Sequence, residues 1–316
     1  MRFLVTGGAG FIGSHLCEKL VQNGDYVICL DNFDSYYDPV IKRNNIRLLL
    51  SHPNFVLIEG SILNWKLLRD LYKGNPVDTV VHLAARAGVR PSIQNPRLYQ
   101  KVNIQGTVNL LELSANYNIS KFILASSSSV YGKQEKIPFS EDDPVDNPIS
   151  PYAASKKACE LLAFTYHSLY SLPVTCLRFF TVYGPRQRPD MAIHKFTKCI
   201  FEEKKIPLFG DGKSRRDYTY ISDIIHGIEK AIQKCRGYQV YNLGESKTIE
   251  LQHLIELLEK ASGMTAKIQS LPNQPGDVPI TYADITRART ELGYNPKVPI
   301  EQGIPKFVEW YKREMN

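Results

Sequence analysis

The pair with the most evident chemistry is Tyr152 and Lys156, in Tyr152-Ala153-Ala154-Ser155-Lys156 directly after Pro151. The four-residue spacing puts phenol and ammonium on one face of a helix. A free phenol, with a pKa of about 10, is a poor base near neutrality. A cation beside it favours the phenolate, which can then remove a hydroxyl proton. In isolation the same spacing also describes a surface tyrosine beside a surface lysine. The run Ser126-Ser127-Ser128-Ser129 closes a strand-like segment. Parallel α/β sheets hold their ligands at such strand ends.

A second constellation binds rather than reacts. Thr6-Gly7-Gly8-Ala9-Gly10-Phe11-Ile12-Gly13 has glycines at 7, 10 and 13, after a short apolar strand and at the start of a helical pattern. Gly7 permits a tight turn, Gly10 lets backbone approach a pyrophosphate, and Gly13 allows close helix–strand packing. The diphosphate would lie on the N–H groups of the helix start, around Phe11 and Ile12. Asp31 ends the second strand-like segment, where a carboxylate accepts ribose hydroxyls and repels the extra phosphate of NADP. Asn32 and Phe33 follow, with no Arg to hold that phosphate. NAD is the predicted cofactor, and its positive nicotinamide would join Lys156 in favouring a phenolate.

These groups need a scaffold, and the pattern around them supplies one. Strand-like segments at Arg2–Thr6, Asp25–Leu30, Asn54–Glu59, Val77–Leu83, Lys121–Ser126 and Pro173–Phe179 alternate with helical stretches. The latter include Phe11–Asn23, Arg97–Tyr117 and Tyr152–Tyr170. Such alternation predicts an α/β fold, a doubly wound parallel Rossmann sheet covered on both faces. From about Tyr183 the elements shorten and Pro and Gly become frequent. Ser222–Gln233 reads as a helix and Gly237–Leu243 as one more strand returning to the first sheet. Leu251–Ser262 and Gly303–Glu314 read as amphipathic helices. The expected division is 1–182 plus about 222–244 for the NAD-binding Rossmann domain. A smaller α/β substrate domain takes about 183–221 and 245–316.

Composition narrows the class. The 316 residues include 39 Lys and Arg against 32 Asp and Glu, a net charge of +7. The basic residues come in scattered pairs rather than runs, so no nucleic-acid partner is expected. A mildly positive field suits a small anionic substrate, although a solvated surface rich in Lys accounts for it equally well. None of the six cysteines forms a C-x-x-C pair, so no metal is expected, and they read as small core residues in a reducing compartment. No uncharged apolar stretch approaches the ~20 residues of a membrane span. The expectation is a soluble cytoplasmic protein with no membrane partner.

The chain resembles the extended short-chain dehydrogenase/reductase family over nearly its whole length. The resemblance rests on T-G-G-A-G-F-I-G at 6–13, His82-Leu83-Ala84-Ala85, Asn103 in V-N-I-Q-G-T, S-S-S-V-Y-G at 127–132 and the Tyr152–Lys156 pair. Arg178-Phe179-Phe180, Tyr183-Gly184-Pro185 and Arg216-Asp217-Tyr218 extend it. It is specific to nucleotide-sugar epimerases and dehydratases. The resemblance implies that Tyr152 is the base, Lys156 orients the cofactor ribose and Ser127 holds the sugar hydroxyl. Around NAD it implies Gly7, Gly10, Phe11, Ile12, Gly13, Asp31, Asn32, Ser61, Ile62, Leu83, Ala84, Ala85, Asn103, Tyr152 and Lys156. Ser61 stands where relatives carry an acid for the adenine amino group, a weaker acceptor.

Dehydratases that resemble this chain carry Asp-Glu after the active-site hydroxyl, and decarboxylases carry Glu before V-Y-G. Here those positions are Ser128 and Ser129, which favours an epimerase. Tyr183-Gly184-Pro185-Arg186-Gln187-Arg188-Pro189-Asp190, Ala85-Arg86-Ala87-Gly88-Val89-Arg90 and Asp31-Asn32-Phe33 followed by Tyr36-Tyr37 resemble UDP-glucuronate 4-epimerases. The implied reaction is NAD-dependent 4-epimerisation of UDP-glucuronate to UDP-galacturonate, an isomerase activity. UDP-hexose 4-epimerisation and decarboxylating oxidation are the alternatives. Implied substrate contacts are Arg90, Ser127, Ser128, Ser129, Thr181, Arg188, Arg216 and Asp277. The lesser alternatives are a phosphate contact or a loop salt bridge for Arg188, a salt bridge for Arg216, and a turn for Asp277. Gln274 replaces an Arg common in relatives. Helices 97–117 and 152–170 carry apolar residues on several faces, as in relatives that dimerise through them, so a homodimer is expected; internal packing is the other account.

Overall fold

The computed structural model describes residues 1–272 and 278–315. Its strands are, in chain order, β1 (Arg2–Thr6), β2 (Tyr26–Asp31), β3 (Phe55–Glu59), β4 (Thr79–His82), β5 (Lys121–Ser127), β6 (Val174–Phe179), β7 (Thr181–Tyr183), β8 (Lys205–Phe209), β9 (Arg215–Tyr220), β10 (Tyr238–Leu243), β11 (Thr248–Glu250) and β12 (Lys267–Leu271). Seven strands build one sheet in the order β3-β2-β1-β4-β5-β6-β10. Every pairing in it is parallel. β10 therefore joins the first sheet, as its sequence pattern predicts. β7, β9 and β11 form a second sheet, and β8 pairs with β12.

Strand order reverses between β2-β1 and β4-β5, which opens a crevice beyond the C-terminal ends of β1 and β4. Consecutive residues feed two cores on opposite faces. Phe3, Val5, Val27, Cys29, Val81 and Ile123 pack in one; Leu4, Ile28, Leu30, Val80, Phe122 and Leu124 pack in the other. Both faces are covered, so these strands read as continuous apolar runs. Each such side chain contributes about 1.5–3 kcal/mol on burial. Five of the six cysteines are buried and all are free thiols.

The helix that carries Tyr152 spans Pro151–Tyr170. Ser150 caps it, accepting the Ala153 N–H at 3.1 Å, and Pro151 occupies a first-turn position where it has no N–H to lose. The stretch 97–117, read above as one helix, is instead three pieces. Pro96–Tyr99 and Gly106–Asn116 are α-helical, and Gln100–Gln105 between them is a π-helix. The wider turn swings Asn103 inward to 1% exposure. There its amide donates to Arg86 O at 3.0 Å and to Ser155 Oγ at 2.9 Å, and accepts the Arg86 N–H at 2.7 Å. π-turns within α-helices often mark functional sites.

Asp217 of β9 ties three segments of the chain together. Its carboxylate accepts the backbone N–H groups of Glu245, Ser246 and Ala283 at 2.7–3.1 Å. Burial pushes its pKa up to about 6, against the pull of those donors. Burial and then the neighbouring Asp223 and Asp217 push Glu245 up to about 7, with Lys247 pulling the other way. Glu245 Oε2 is buried without a hydrogen-bond partner. Between the ordinary carboxyl pKa of about 4.3 and 7 the folded protein holds more protons here than the unfolded chain. Stability from this group is thus present at low pH and lost as pH rises through that window. Thermal midpoints of the NAD-saturated protein at pH 5, 6, 7 and 8 should fall more steeply for wild type than for Glu245→Gln. Parallel curves would show that Glu245 does not titrate here.

Candidate active site

A cavity of about 530 Å³ lies across the C-terminal ends of the main sheet. One wall is the glycine loop. Gly7 sits at φ +69°, and a Cβ there would lie 2.8 Å from the Ala84 nitrogen. A Cβ on Gly13 would lie 2.2 Å from Gly7 O, so the helix start and the turn can touch only with glycine. Gly10 caps the helix Phe11–Gln22 without a side-chain bond, and the first turn holds no acid. That leaves an electropositive helix end facing the cavity, fitted to a diphosphate.

Asp31 closes β2 at 6% exposure. Its oxygens accept the Ala9 N–H at 3.1 Å and the Phe33 N–H at 2.9 Å, one bond each. Each oxygen keeps capacity for a further donor, as a ribose diol requires. Burial pushes the Asp31 pKa up, and Lys42 with the two N–H groups opposes it. Lys42 reaches within 4.0 Å of Asp31 and donates to Asp34 O at 3.1 Å. Lys42 carries no sequence signal for this role, because nothing in its local spacing links it to Asp31. Gly7, Gly10, Phe11, Ile12, Gly13, Asp31, Asn32, Ser61, Ile62, Leu83, Ala84 and Ala85 all line the cavity. The loop, the bare helix start and the acid fit a dinucleotide.

On the opposite wall Tyr152, Lys156 and Ser127 face the same cavity. Lys156 is 5% exposed and donates to Ala125 O at 2.8 Å, which fixes its ammonium beneath the end of β5. Ser127 Oγ accepts the Ser129 N–H and donates to Ser129 Oγ, both at 3.2 Å. Tyr99 meets the Tyr152 ring edge-on, centroids 6.2 Å apart, and anchors its own hydroxyl on Ala87 O at 2.8 Å. Asn103 does not line the cavity. It stands behind, joining the loop at Arg86 to the Pro151–Tyr170 helix at Ser155. Beneath this wall His82 bridges Thr6 and Thr107 at 2.7 and 3.0 Å. Burial, and then the Lys156 charge, push its pKa down to about 3, so the imidazole is neutral.

Ser128, Ser129, Thr181 and Arg188 line the remaining side. Arg188 is 21% exposed and holds Asp190 bidentately, Nε to Oδ1 at 3.0 Å and Nη2 to Oδ2 at 2.9 Å. Tyr36 OH donates to the same Asp190 Oδ2 at 3.2 Å. Arg86, a cavity-lining residue paired with Asp34 at 2.9 Å, lies over the Tyr36 ring. Arg90 is exposed, lies outside the lining and covers the Phe209 ring at 4.7 Å. Arg216 also lies outside it and donates to Arg215 O at 2.9 Å. Asp277 and Gln274 fall outside the described residues.

Residues 4–307 match the family described as GDP-mannose 4,6 dehydratase. A UDP-glucuronate 4-epimerase of Thermodesulfobacterium geofontis is 45% identical over 315 residues, 99% of this chain and 97% of that protein. The crystal structure of UDP-glucuronic acid 4-epimerase from Bacillus cereus, in complex with UDP-glucuronic acid and NAD, superposes with a TM-score of 0.93 at 40% identity. It covers 99% of this chain and all of that one. UDP-glucose 4-epimerase of Thermotoga maritima, with UDP-glucose, gives a TM-score of 0.93 at 33% identity over the full length of both chains. Among the described residues no helix is long and apolar enough to cross a membrane. With a glycine cradle, a strand-end acid and a Tyr–Lys pair in one cavity and matches of this extent, the chain belongs to the extended short-chain dehydrogenase/reductase family, within its nucleotide-sugar epimerase and dehydratase branch.

Proposed function

We propose that this chain is an NAD-dependent isomerase that interconverts UDP-glucuronate and UDP-galacturonate at C4. The observation that carries the choice among sugar chemistries is the serine corner. Ser127, Ser128 and Ser129 line the cavity beside Tyr152, and the acids of that lining, Asp31 and Asp34, stand on the β2 side. Among the described residues no carboxylate lines the cavity beside Ser127, Ser128 and Ser129, and Glu160, which accepts the Ser126 hydroxyl from behind, is taken up by Arg178. With nothing there to remove a C5 proton or assist elimination, the reaction stops once hydride has returned.

Bound against the glycine loop and Asp31, NAD would supply the acceptor, and then the donor, of the C4 hydride. Tyr152 removes the C4 hydroxyl proton and restores it, and Lys156, one helical turn along, holds the cofactor ribose. Ser127 hydrogen-bonds the same sugar oxygen. Arg216 and Asp277 anchor the uridine diphosphate while the 4-keto sugar presents its other face. That keto acid loses carbon dioxide readily if its carboxylate swings out of line, and Ser128, Thr181 and Arg188 restrain it. In this reading residues 1–182 and about 222–244 carry NAD, and about 183–221 with 245–316 carry the UDP-sugar. We also assign a homodimer to the outward face of the Pro151–Tyr170 helix, where Leu161 and Phe164 are 55% and 52% exposed. Sedimentation velocity decides it.

Product analysis tests the reaction. UDP-glucuronate, UDP-glucose and UDP-xylose are incubated side by side with catalytic NAD. Many turnovers of UDP-glucuronate to UDP-galacturonate without NADH accumulation are expected. Stoichiometric NADH with a UDP-pentose product would make the chain an oxidoreductase. Preferred turnover of UDP-glucose would make it a neutral-hexose epimerase.

A further inference from the structure

The pairing of Arg188 concerns a residue to which the reaction above gives no part. Arg188 is the guanidinium on the sugar side of the cavity, yet its Nε–Nη2 edge is filled by Asp190 from two residues along the same loop. That edge is the planar fork a carboxylate binds side-on. Asp190 is held from across the cleft as well, by the Tyr36 hydroxyl at 3.2 Å, and the Arg188 guanidinium lies 5.6 Å from the centre of the Tyr36 ring. Asp190 is 38% exposed and can turn toward water at little cost, whereas Arg188 is 21% exposed. Burial works to lower the Arg188 pKa, but the Asp190 charge and hydrogen bonds outweigh it and hold the guanidinium above its ordinary value.

We propose that Asp190 is a positioning and specificity residue, an internal carboxylate that exchanges with the sugar carboxylate on the Arg188 fork during each turnover. The proposal rests on the reading that Arg188 meets the uronate. Turning the 4-keto ring over carries its C5 carboxylate away from wherever it was first held. An Arg188 abandoned at that moment would be a largely enclosed charge without a partner, which is costly. Asp190 takes the fork back as the sugar lets go, so the guanidinium is paired in both ring orientations. The contact is then strong enough to select a uronate and weak enough to release it.

The exchange predicts a tighter, slower enzyme when the competitor is removed. Calorimetry on NAD-loaded protein in an inactive Tyr152→Phe background gives the affinities. Asp190→Asn, and Asp190→Ala as a second variant, should lower the Kd for UDP-glucuronate about tenfold, equivalent to about 1.4 kcal/mol, and leave that for UDP-glucose unchanged. Adding Arg188→Ala should abolish the gain. In the active protein Asp190→Asn should lower KM and kcat together, a split that a purely structural lesion does not give. Unchanged or weaker UDP-glucuronate binding in both Asp190 variants, while Arg188→Ala alone erases the preference for the uronate, overturns the exchange but keeps the carboxylate reading. Equal tightening for both sugars also overturns it, since that is general charge removal. If Arg188→Ala leaves the preference intact, the carboxylate reading fails and the exchange fails with it.

Discussion

Tyr152→Phe should slow interconversion of UDP-glucuronate and UDP-galacturonate by a factor on the order of 10²–10⁴, the usual contribution of a positioned general base. The ring remains, so its edge-on contact with Tyr99 at 6.2 Å and the first turn capped by Ser150 are expected to survive. Lys156 is also undisturbed, because its ammonium is fixed on Ala125 O rather than on the phenol. The variant should therefore purify with as much NAD as wild type and melt at the same temperature. What disappears is the oxygen to which the proposed mechanism gives the C4 proton. Ser127 does not replace it, since an aliphatic hydroxyl stays un-ionised near neutrality and is a far weaker base than a phenolate. A residual rate within about threefold of wild type, with NAD occupancy matched, would remove Tyr152 from the reaction and leave the mechanism without a base.

That the pair can be assigned from sequence reflects how locally it is encoded. Tyr152 and Lys156 are one helical turn apart, the three glycines lie within seven residues, and Asp31 ends the strand next to theirs. Each signal needs only its neighbours and a period, and the same holds for β10, which reads as a strand over Tyr238–Leu243. What sequence does not give depends on distant partners. The π-helical turn at Gln100–Gln105 exists because Asn103 must bond Arg86, 17 positions away, and Ser155, 52 positions away. Asp190 is defined by Tyr36 across 154 positions. Arg90 sits beside motif residues that line the cavity, yet its guanidinium lies over Phe209. A charge can be predicted from a motif; the direction in which a long side chain leaves the backbone depends on the packing around it.

The largest expected loss of stability comes from beneath the serine corner. Arg178 of β6 donates Nε and Nη2 to the two oxygens of Glu160, both at 2.9 Å, with the side chains 3% and 2% exposed. Glu160 also accepts the Ser126 hydroxyl at 2.6 Å, and Arg178 Nη1 donates to Tyr131 OH at 3.0 Å. Tyr131 in turn donates to Asn242 of β10 at 2.7 Å. The chain of bonds thus fastens the Pro151–Tyr170 helix to the ends of β5, β6 and β10. Exchanging such a pair for apolar residues of similar volume is often close to neutral, because two charges no longer need desolvating. Deleting one member is different. Arg178→Ala leaves the Glu160 carboxylate enclosed, with Lys157 no nearer than 3.8 Å, and should cost about 3–5 kcal/mol. That corresponds to a fall in melting temperature on the order of 10 °C. Arg178→Met combined with Glu160→Leu should recover most of the loss, since neither partner is then stranded. Ser126 and Ser127 both line the cavity, so the single variant should also lose activity beyond what its unfolded fraction explains, through the loosened end of β5. A single variant that melts within about 2 °C of wild type would mean that the two charges reach water more easily than their burial allows.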